Sequence, residues 1–248
     1  MNFNLATPEN MKKYKWALQA MCPNNEKPHL YQIQIGPEIV ATNGHRVHVV
    51  TTSIQVTDPG DPLLEDKHIY YIPGDLAKNL PYLVTDICRF AERIGTQITL
   101  EGFDGFDIDI DQDHQPPLPN CEAIYREQKP RWVYTLSLTE LRSLMKRYPI
   151  ANFPFILENS GELYMRKYYS SHLDDYATLP LTTKNAIFCN AFESQDKDLT
   201  QHFHIPYLLD AVKGLRGKVT LSFPTHPHQP LVIEHTSKKT THIAIVMP

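Results

Sequence analysis

Polar and apolar residues alternate strictly over 31–35 (Tyr-Gln-Ile-Gln-Ile), a period of two that predicts a half-buried strand. Gly36-Pro37 turns the chain, and 38–42 and 47–51 continue as strands, joined through Asn43-Gly44, a type I′ hairpin signal. Ahead of this meander, Met11, Tyr14, Leu18 and Met21 recur at helical spacing behind Thr7-Pro8-Glu9, which supplies an N-cap and a proline at the first helical position. A short helix is predicted over 9–21. The first half then reads as a strand over 68–72, a helix over 75–94 kinked at Pro81, and strands over 97–101 and 106–111.

Residues 115–130 form a proline-rich connector without periodicity, and the domain boundary is placed there, giving domains 1–127 and 128–248. The second half repeats the plan. A strand over 132–136, a helix over 139–148 and strands over 153–158 and 162–168 are followed, after a loop, by strands over 186–192 and through 202–204. A helix over 206–215 and strands over 218–223, 231–234 and 242–247 complete it. The pattern predicts an α+β chain of two similar domains in series, each with two helices packed on antiparallel sheets, an internal repeat too diverged to show as identity.

At 248 residues, 42% hydrophobic and 21% charged, the chain has the composition of a globular protein with a sizeable core. No apolar run reaches the ~18 residues of a spanning helix and the N-terminus lacks a signal-peptide core, so no membrane association and a cytoplasmic location are expected. Cys22, Cys88, Cys121 and Cys189 are widely scattered without a CxxC pair, the pattern of reduced thiols. Net charge is −4, yet three helices each come to +2: Lys12, Lys13 and Lys15 against Glu9; Arg142, Lys146 and Arg147 against Glu140; Lys213, Arg216 and Lys218 against Asp210. Basic helices on an acidic body suit a surface that follows phosphates, although lysines on any one helix also simply solvate it.

Two motifs invite metal chemistry. His202 and His204, with His226 and His228, are spaced to share strand faces, but no third ligand has convincing spacing, and no metal or cofactor is assigned. Asp107-Ile-Asp-Ile-Asp-Gln-Asp113 has acidic residues at alternate positions like the start of a calcium loop, without its central glycine and closing glutamate. It reads instead as a strand with an acidic solvent face.

Four segments carry a family resemblance. Ala41-Thr-Asn-Gly-His-Arg-Val47 resembles the Ala-Thr-Asp-Gly-His-Arg-Leu signature that opens the middle domain of the bacterial DNA sliding clamp, the polymerase III beta subunit. Leu118-Pro-Asn-Cys-Glu-Ala-Ile124 is similar to the family's Phe-Pro-Asp-Tyr connector, Phe203-His-Ile-Pro-Tyr-Leu-Leu-Asp210 to its Phe-Asn-Val-x-Tyr-Leu-Leu-Asp helix start, and Ile245-Val-Met-Pro248 to its terminal strand. The matches occur in family order. Asn43 stands where the family has aspartate, and the chain is expected to correspond to the second and third of three domains and to lack the short tail after Met-Pro.

The resemblance implies a processivity factor without chemistry of its own, not an enzyme, encircling duplex DNA in a sequence-independent way and tethering a polymerase. A clamp loader is a further implied partner. Because the family's ring contains six domains, a two-domain chain implies a homotrimer; the reduced size suggests a viral or mobile-element version. The family's partner-peptide groove maps by motif onto Thr42, Gly44, His45, Arg46, Val47, Pro119, Ile124, Tyr207, Ile245, Met247 and Pro248, with His45 and Arg46 expected to be exposed beyond the turn. The DNA face maps onto Lys12, Lys13, Lys15, Arg142, Lys146, Arg147, Lys213 and Arg216. Two alternatives stay open: a clamp-like adaptor or modulator of the replisome that forms no ring, and a metal-dependent enzyme using the histidines.

Overall fold

The computed structural model describes Leu5 and residues 7–51, 69–83, 88–92, 97–102, 107–111, 117–120, 123–124, 130, 132–147, 152–157, 163–166, 178–181, 186–187, 199–224, 226, 228–237 and 240–248. The chain divides into two units. The first is Met1–Cys121 with Ser237–His242, and the second is Glu122–Thr236 with Ile243–Pro248.

In the first unit, helix α1 (Pro8–Leu18) starts where Thr7 Oγ1 accepts from the Asn10 amide, 3.2 Å, and Pro8 supplies a preset φ. Its buried face is Lys13, Tyr14, Trp16 and Ala17. That stripe differs from the expected one, since Met11 and Leu18 are only half-buried, and Trp16 takes the place they were given. Strands β1 (Gln32–Ile35), β2 (Glu38–Thr42), β3 (Arg46–Thr51) and β4 (Tyr70–Pro73) form an antiparallel sheet in the order β3-β2-β1-β4. The Gly36-Pro37 turn closes with Gly36 N donating to Glu38 O, 3.0 Å.

Helix α2 (Gly74–Leu83) begins against Tyr31, and a Cβ on Gly74 would lie 2.6 Å from that ring, so only glycine fits. Tyr14 on α1 donates to Ala77 O on α2, 2.8 Å, tying the helices together. The expected helix over 75–94 is corrected here. Its described part ends at Leu83, and within the expected range β5 (Cys88–Glu92) is a strand paired with β6 (Gln97–Gly102), which in turn pairs with β7 (Asp107–Asp111). Pro81 weakens the helix by removing a donor, and the ladder to β6 satisfies the backbone groups that a longer helix would have used. The acidic run is a strand: Asp107, Asp109 and Asp111 sit opposite Glu101, Thr99 and Gln97, while Ile110 is buried.

In the second unit, β8 (Trp132–Ser137) leads directly into helix α3 (Leu138–Arg147), and β9 (Asn152–Leu157) and β10 (Leu163–Arg166) follow. Strand β11 (Thr178–Leu181) falls where the sequence pattern gave a loop. Pro180 hides it, because proline argues against a central strand, yet β11 is the edge of the sheet β11-β10-β9-β13, where a missing N–H is tolerated. Strand β12 (Ala186–Ile187), β13 (Leu199–His204), helix α4 (Ile205–Val212), β14 (Lys218–Phe223) and β15 (Leu231–Ser237) complete the unit, with a second antiparallel sheet ordered β12-β8-β14-β15. The rest of the strand expected over 186–192 lies outside the described residues. Tyr134 and Phe223 meet edge to face, 5.8 Å apart, in its core. Strand β16 (Thr240–Val246) gives its first residues to the first unit, where Thr241 N donates to Thr51 Oγ1, 2.9 Å, and its remainder to the second.

Candidate functional site

The first-unit residues assigned to the groove lie on the β2–β3 hairpin. The turn centres on Gly44 and His45, one position later than the Asn43-Gly44 pair expected, with Gly44 at φ +89°. Asn43 Oδ1 accepts from the amides of His45 and Arg46, each 3.0 Å, while Thr42 Oγ1 accepts from Gly44 N, 3.1 Å, and donates to Arg46 O, 2.7 Å. These bonds fix the hairpin tip. His45 is exposed, and Thr42 and Val47 are buried.

Arg46 corrects an expectation. It is not exposed but buried, 9% accessible, and its guanidinium donates to the carbonyl of Gln19 at the C-cap of α1. A helix ends with carbonyls that have no partner within the helix and with the negative end of its dipole, so a buried cation there is doubly favoured. Two residues on, and hence on the same face of β3, His48 donates from Nδ1 to Trp16 O, 2.9 Å, since a carbonyl can only accept. Its ring stacks on Trp16 at 4.3 Å, and Trp16 meets His242 edge to face at 4.9 Å. Burial, the largest influence, with smaller contributions from Arg46 and His242, lowers the His48 pKa to about 3, against an opposing backbone bond. His48 is therefore a neutral structural imidazole.

Of the remaining groove residues, Pro119 is exposed in the first unit. In the second, Ile124 is 40% and Met247 38% accessible, Pro248 is exposed, Ile245 is buried, and Tyr207 is half-buried with its ring 4.6 Å from that of His204. Exposed Met247 and Ile124 are apolar surface with no internal reason to face solvent.

The cations assigned to DNA separate into two groups. Lys12 and Lys15 are exposed on α1, but Lys13 is buried, its ammonium 3.3 Å from Glu9, because it shares the face that carries Tyr14 and Trp16. Arg142 on α3 is also turned inward. Its guanidinium donates to Val212 O and to Leu215 O, the latter 2.5 Å away, closing the C-terminal end of α4. Lys213 and Arg216 are exposed, as is Lys218. Lys146 and Arg147 lie on α3, with side chains outside the described residues.

His226 and His228 are exposed between β14 and β15, and the side chain of His202 is outside the described residues. Among the described residues no group of three or more His, Cys, Asp or Glu is placed to share a metal ion. No helix among them is long and apolar enough to cross a membrane. Sequence reasoning passed over Trp16, His48 and His235. The alternation of Arg46 and His48 along β3 was the available signal.

No protein-family model matches the chain, and no curated protein matches it. Solved structures do. The DNA polymerase sliding clamp of Pseudomonas aeruginosa, crystallised with a ligand, superposes with a TM-score of 0.72 at 17% identity, covering 100% of this chain and 66% of that one. The DNA polymerase III beta chain of Streptococcus pneumoniae gives 0.71 at 16% identity, covering 96% and 62%, and the beta subunit of Thermotoga maritima 0.71 at 14%, covering 100% and 64%. This chain has the sliding-clamp fold. It spans 62 to 66% of the length of those three clamps. Among the described residues each unit carries two α-helices of eight residues or more, α1 and α2 in the first and α3 and α4 in the second, beside antiparallel strands.

Proposed function

We propose that the chain is a subunit of a DNA sliding clamp, a processivity factor that encircles duplex DNA and tethers a polymerase, rather than an enzyme. The observation that carries the reading is the match of essentially the whole chain, as two successive units, to bacterial replication clamps. Three two-domain copies would supply a six-domain ring. Topological linkage would then replace affinity, so the exposed Lys12 and Lys15 of α1 and Lys213 and Arg216 beyond α4 need to make only weak, sequence-independent phosphate contacts. A loader that opens the ring and a cytoplasmic place of action belong to the same reading.

On the second unit, the groove that receives the polymerase would use Ile124, Tyr207, Ile245, Met247 and Pro248. Met247 is its adaptable anchor, since an unbranched thioether fits varied apolar peptides. Native mass is the direct test. A particle three times the 28.6 kDa chain mass is expected by light scattering, and a stable monomer would overturn the ring and leave an adaptor role. For the groove, Met247→Ala should weaken a clamp-binding peptide about tenfold, the equivalent of ~1.4 kcal/mol, without changing thermal stability. Unchanged affinity in fluorescence polarisation would remove Met247 from the groove.

A further inference from the structure

Asn43-Gly44, at the tip of the β2–β3 hairpin, is the single Asn-Gly pair in the sequence. An asparagine side chain can be attacked at Cγ by the backbone nitrogen of the next residue, closing a five-membered ring, and a glycine there has no Cβ to obstruct the approach. Asn10, Asn24 and Asn79 precede Met11, Asn25 and Leu80, whose side chains crowd that nitrogen. The pair also meets solvent. Asn43 is half-buried and Gly44 is exposed, so water reaches both.

The fold adds contacts that bear on this reaction. Asn43 Oδ1, the atom that gathers negative charge when Cγ becomes tetrahedral, already accepts from the amides of His45 and Arg46, each 3.0 Å. Two backbone donors at that distance are the arrangement that stabilises an oxyanion. Gly44 N, the attacking atom, donates its hydrogen to Thr42 Oγ1 at 3.1 Å, and that hydroxyl spends its own hydrogen on Arg46 O, 2.7 Å. The hydroxyl lone pairs therefore stay turned toward Gly44 and polarise its N–H. Asn43 N closes the turn by donating to Arg46 O at 3.3 Å, with Gly44 at φ +89°, so the parts are held together. Asn24 Oδ1, by comparison, accepts from one backbone amide among the described residues, Glu26 N at 3.4 Å.

We propose that Asn43-Gly44 is a self-modifying site, at which the hairpin promotes deamidation of Asn43. Gly44 N bonds to Asn43 Cγ and gives up its proton, the Cγ–Nδ2 bond breaks, and the side-chain nitrogen leaves with a proton as ammonia. Solvent water then opens the cyclic imide. Cleavage at Cγ restores the backbone with aspartate at 43, and cleavage at the main-chain carbonyl leaves isoaspartate, the backbone now running through the side chain. Asparagine and water thus become aspartate and ammonia, with no oxidant or cofactor. The aspartate product keeps both amide contacts and strengthens them, since its oxygen carries charge. Isoaspartate lengthens the turn by one methylene and breaks them. Either product places a new negative charge beside the exposed His45. The site is independent of the clamp reading.

The test is to age the whole folded protein in neutral buffer beside a synthetic peptide of residues 41–47, which carries the same pair without the fold. Peptide mapping by mass spectrometry scores the mass gained as –NH2 becomes –OH, and enzymatic methyl transfer to isoaspartyl carboxylates scores the isomer. Asn43 in the folded protein should convert at least about tenfold faster than in the peptide, a modest share of the ~10²-fold that one oxyanion donor contributes. It should also outpace Asn24 in the same sample. Conversion at or below the peptide rate would mean that the hairpin shields the pair, and overturns the proposal. The protein's rate should rise with pH, because attack needs Gly44 N to lose its proton, and a rate indifferent to pH overturns the ring-closing route. Asn43→Asp, the ordinary product, tests the cradle without waiting for the reaction. It should melt at or above the parent temperature, and a clear fall would show that the two amides do not accept negative charge at Oδ1, which also overturns the proposal.

Discussion

Helix α1 in the first unit and α4 in the second each end beside an arginine and a histidine that bond backbone carbonyls, those of Trp16 and Gln19 at α1 and those of Val212, Leu215 and Arg216 at α4, the last two in the loop beyond the helix. At α1 the two donors come from a single strand, Arg46 and His48 on β3, and the chain beyond the helix turns inward, burying Ala20, Met21 and Cys22. At α4 they come from separate elements, Arg142 on α3 and His235 on β15, and the chain beyond remains at the surface with its cations outward. An arginine meeting carbonyls at the negative end of a helix dipole thus has two outcomes. In the first unit the donors serve the core. In the second they hold an exposed loop in shape.

The comparison breaks most sharply at Arg46. Arg46→Ala leaves the partly buried Gln19 carbonyl without that donor and should cost roughly 3 kcal/mol in urea unfolding. A loss near zero would mean that the cap is ornamental.

Acid separates the two ends next. His48 has its folded pKa lowered to about 3, so between there and its ordinary value of 6.5 the unfolded chain binds a proton that the folded chain refuses. Its contribution is therefore complete above pH 6.5 and is lost as pH falls, by about 1.4 kcal/mol per unit, or about 2 kcal/mol at pH 5. His48→Phe should flatten that part of the stability–pH curve, and parallel curves for variant and parent would exclude His48 as the cause. The smallest effect is expected at the surface loop. Gly217→Ala meets open space but forces alanine into a left-handed conformation, costing about 1 kcal/mol by thermal melting, well below the Arg46 effect.

Much of this architecture was legible because it is local. The alternation over 31–35, the Gly36-Pro37 turn and the Thr7-Pro8 helix start each carry their structural reason within a few residues, and the strands they predict stand within a residue or so of the observed ones. Arg46 shows where such reasoning ends. Its position beside a turn argued for exposure, but the carbonyl it serves lies 27 residues earlier in the chain, and no local pattern announces that partner. Strand β5 was lost for a similar reason, since helical spacing over 75–94 says nothing of the ladder waiting at β6. Of the candidate site, the sequence identified Met247 and Ile124 as apolar groups for a partner, and both are exposed. It counted Lys13 and Arg142 as outward cations because charge can be summed from composition, whereas direction is set by packing.

Strand β16 carries a consequence for how the molecule is made. Thr241 bonds to Thr51 and His242 rests against Trp16, so the first unit draws on residues that follow nearly the whole of the second. A ribosome that has just released residue 121 has produced a unit still missing one of its strands. The half that emerges first is therefore the half that must wait, its Trp16 edge uncovered until synthesis reaches His242.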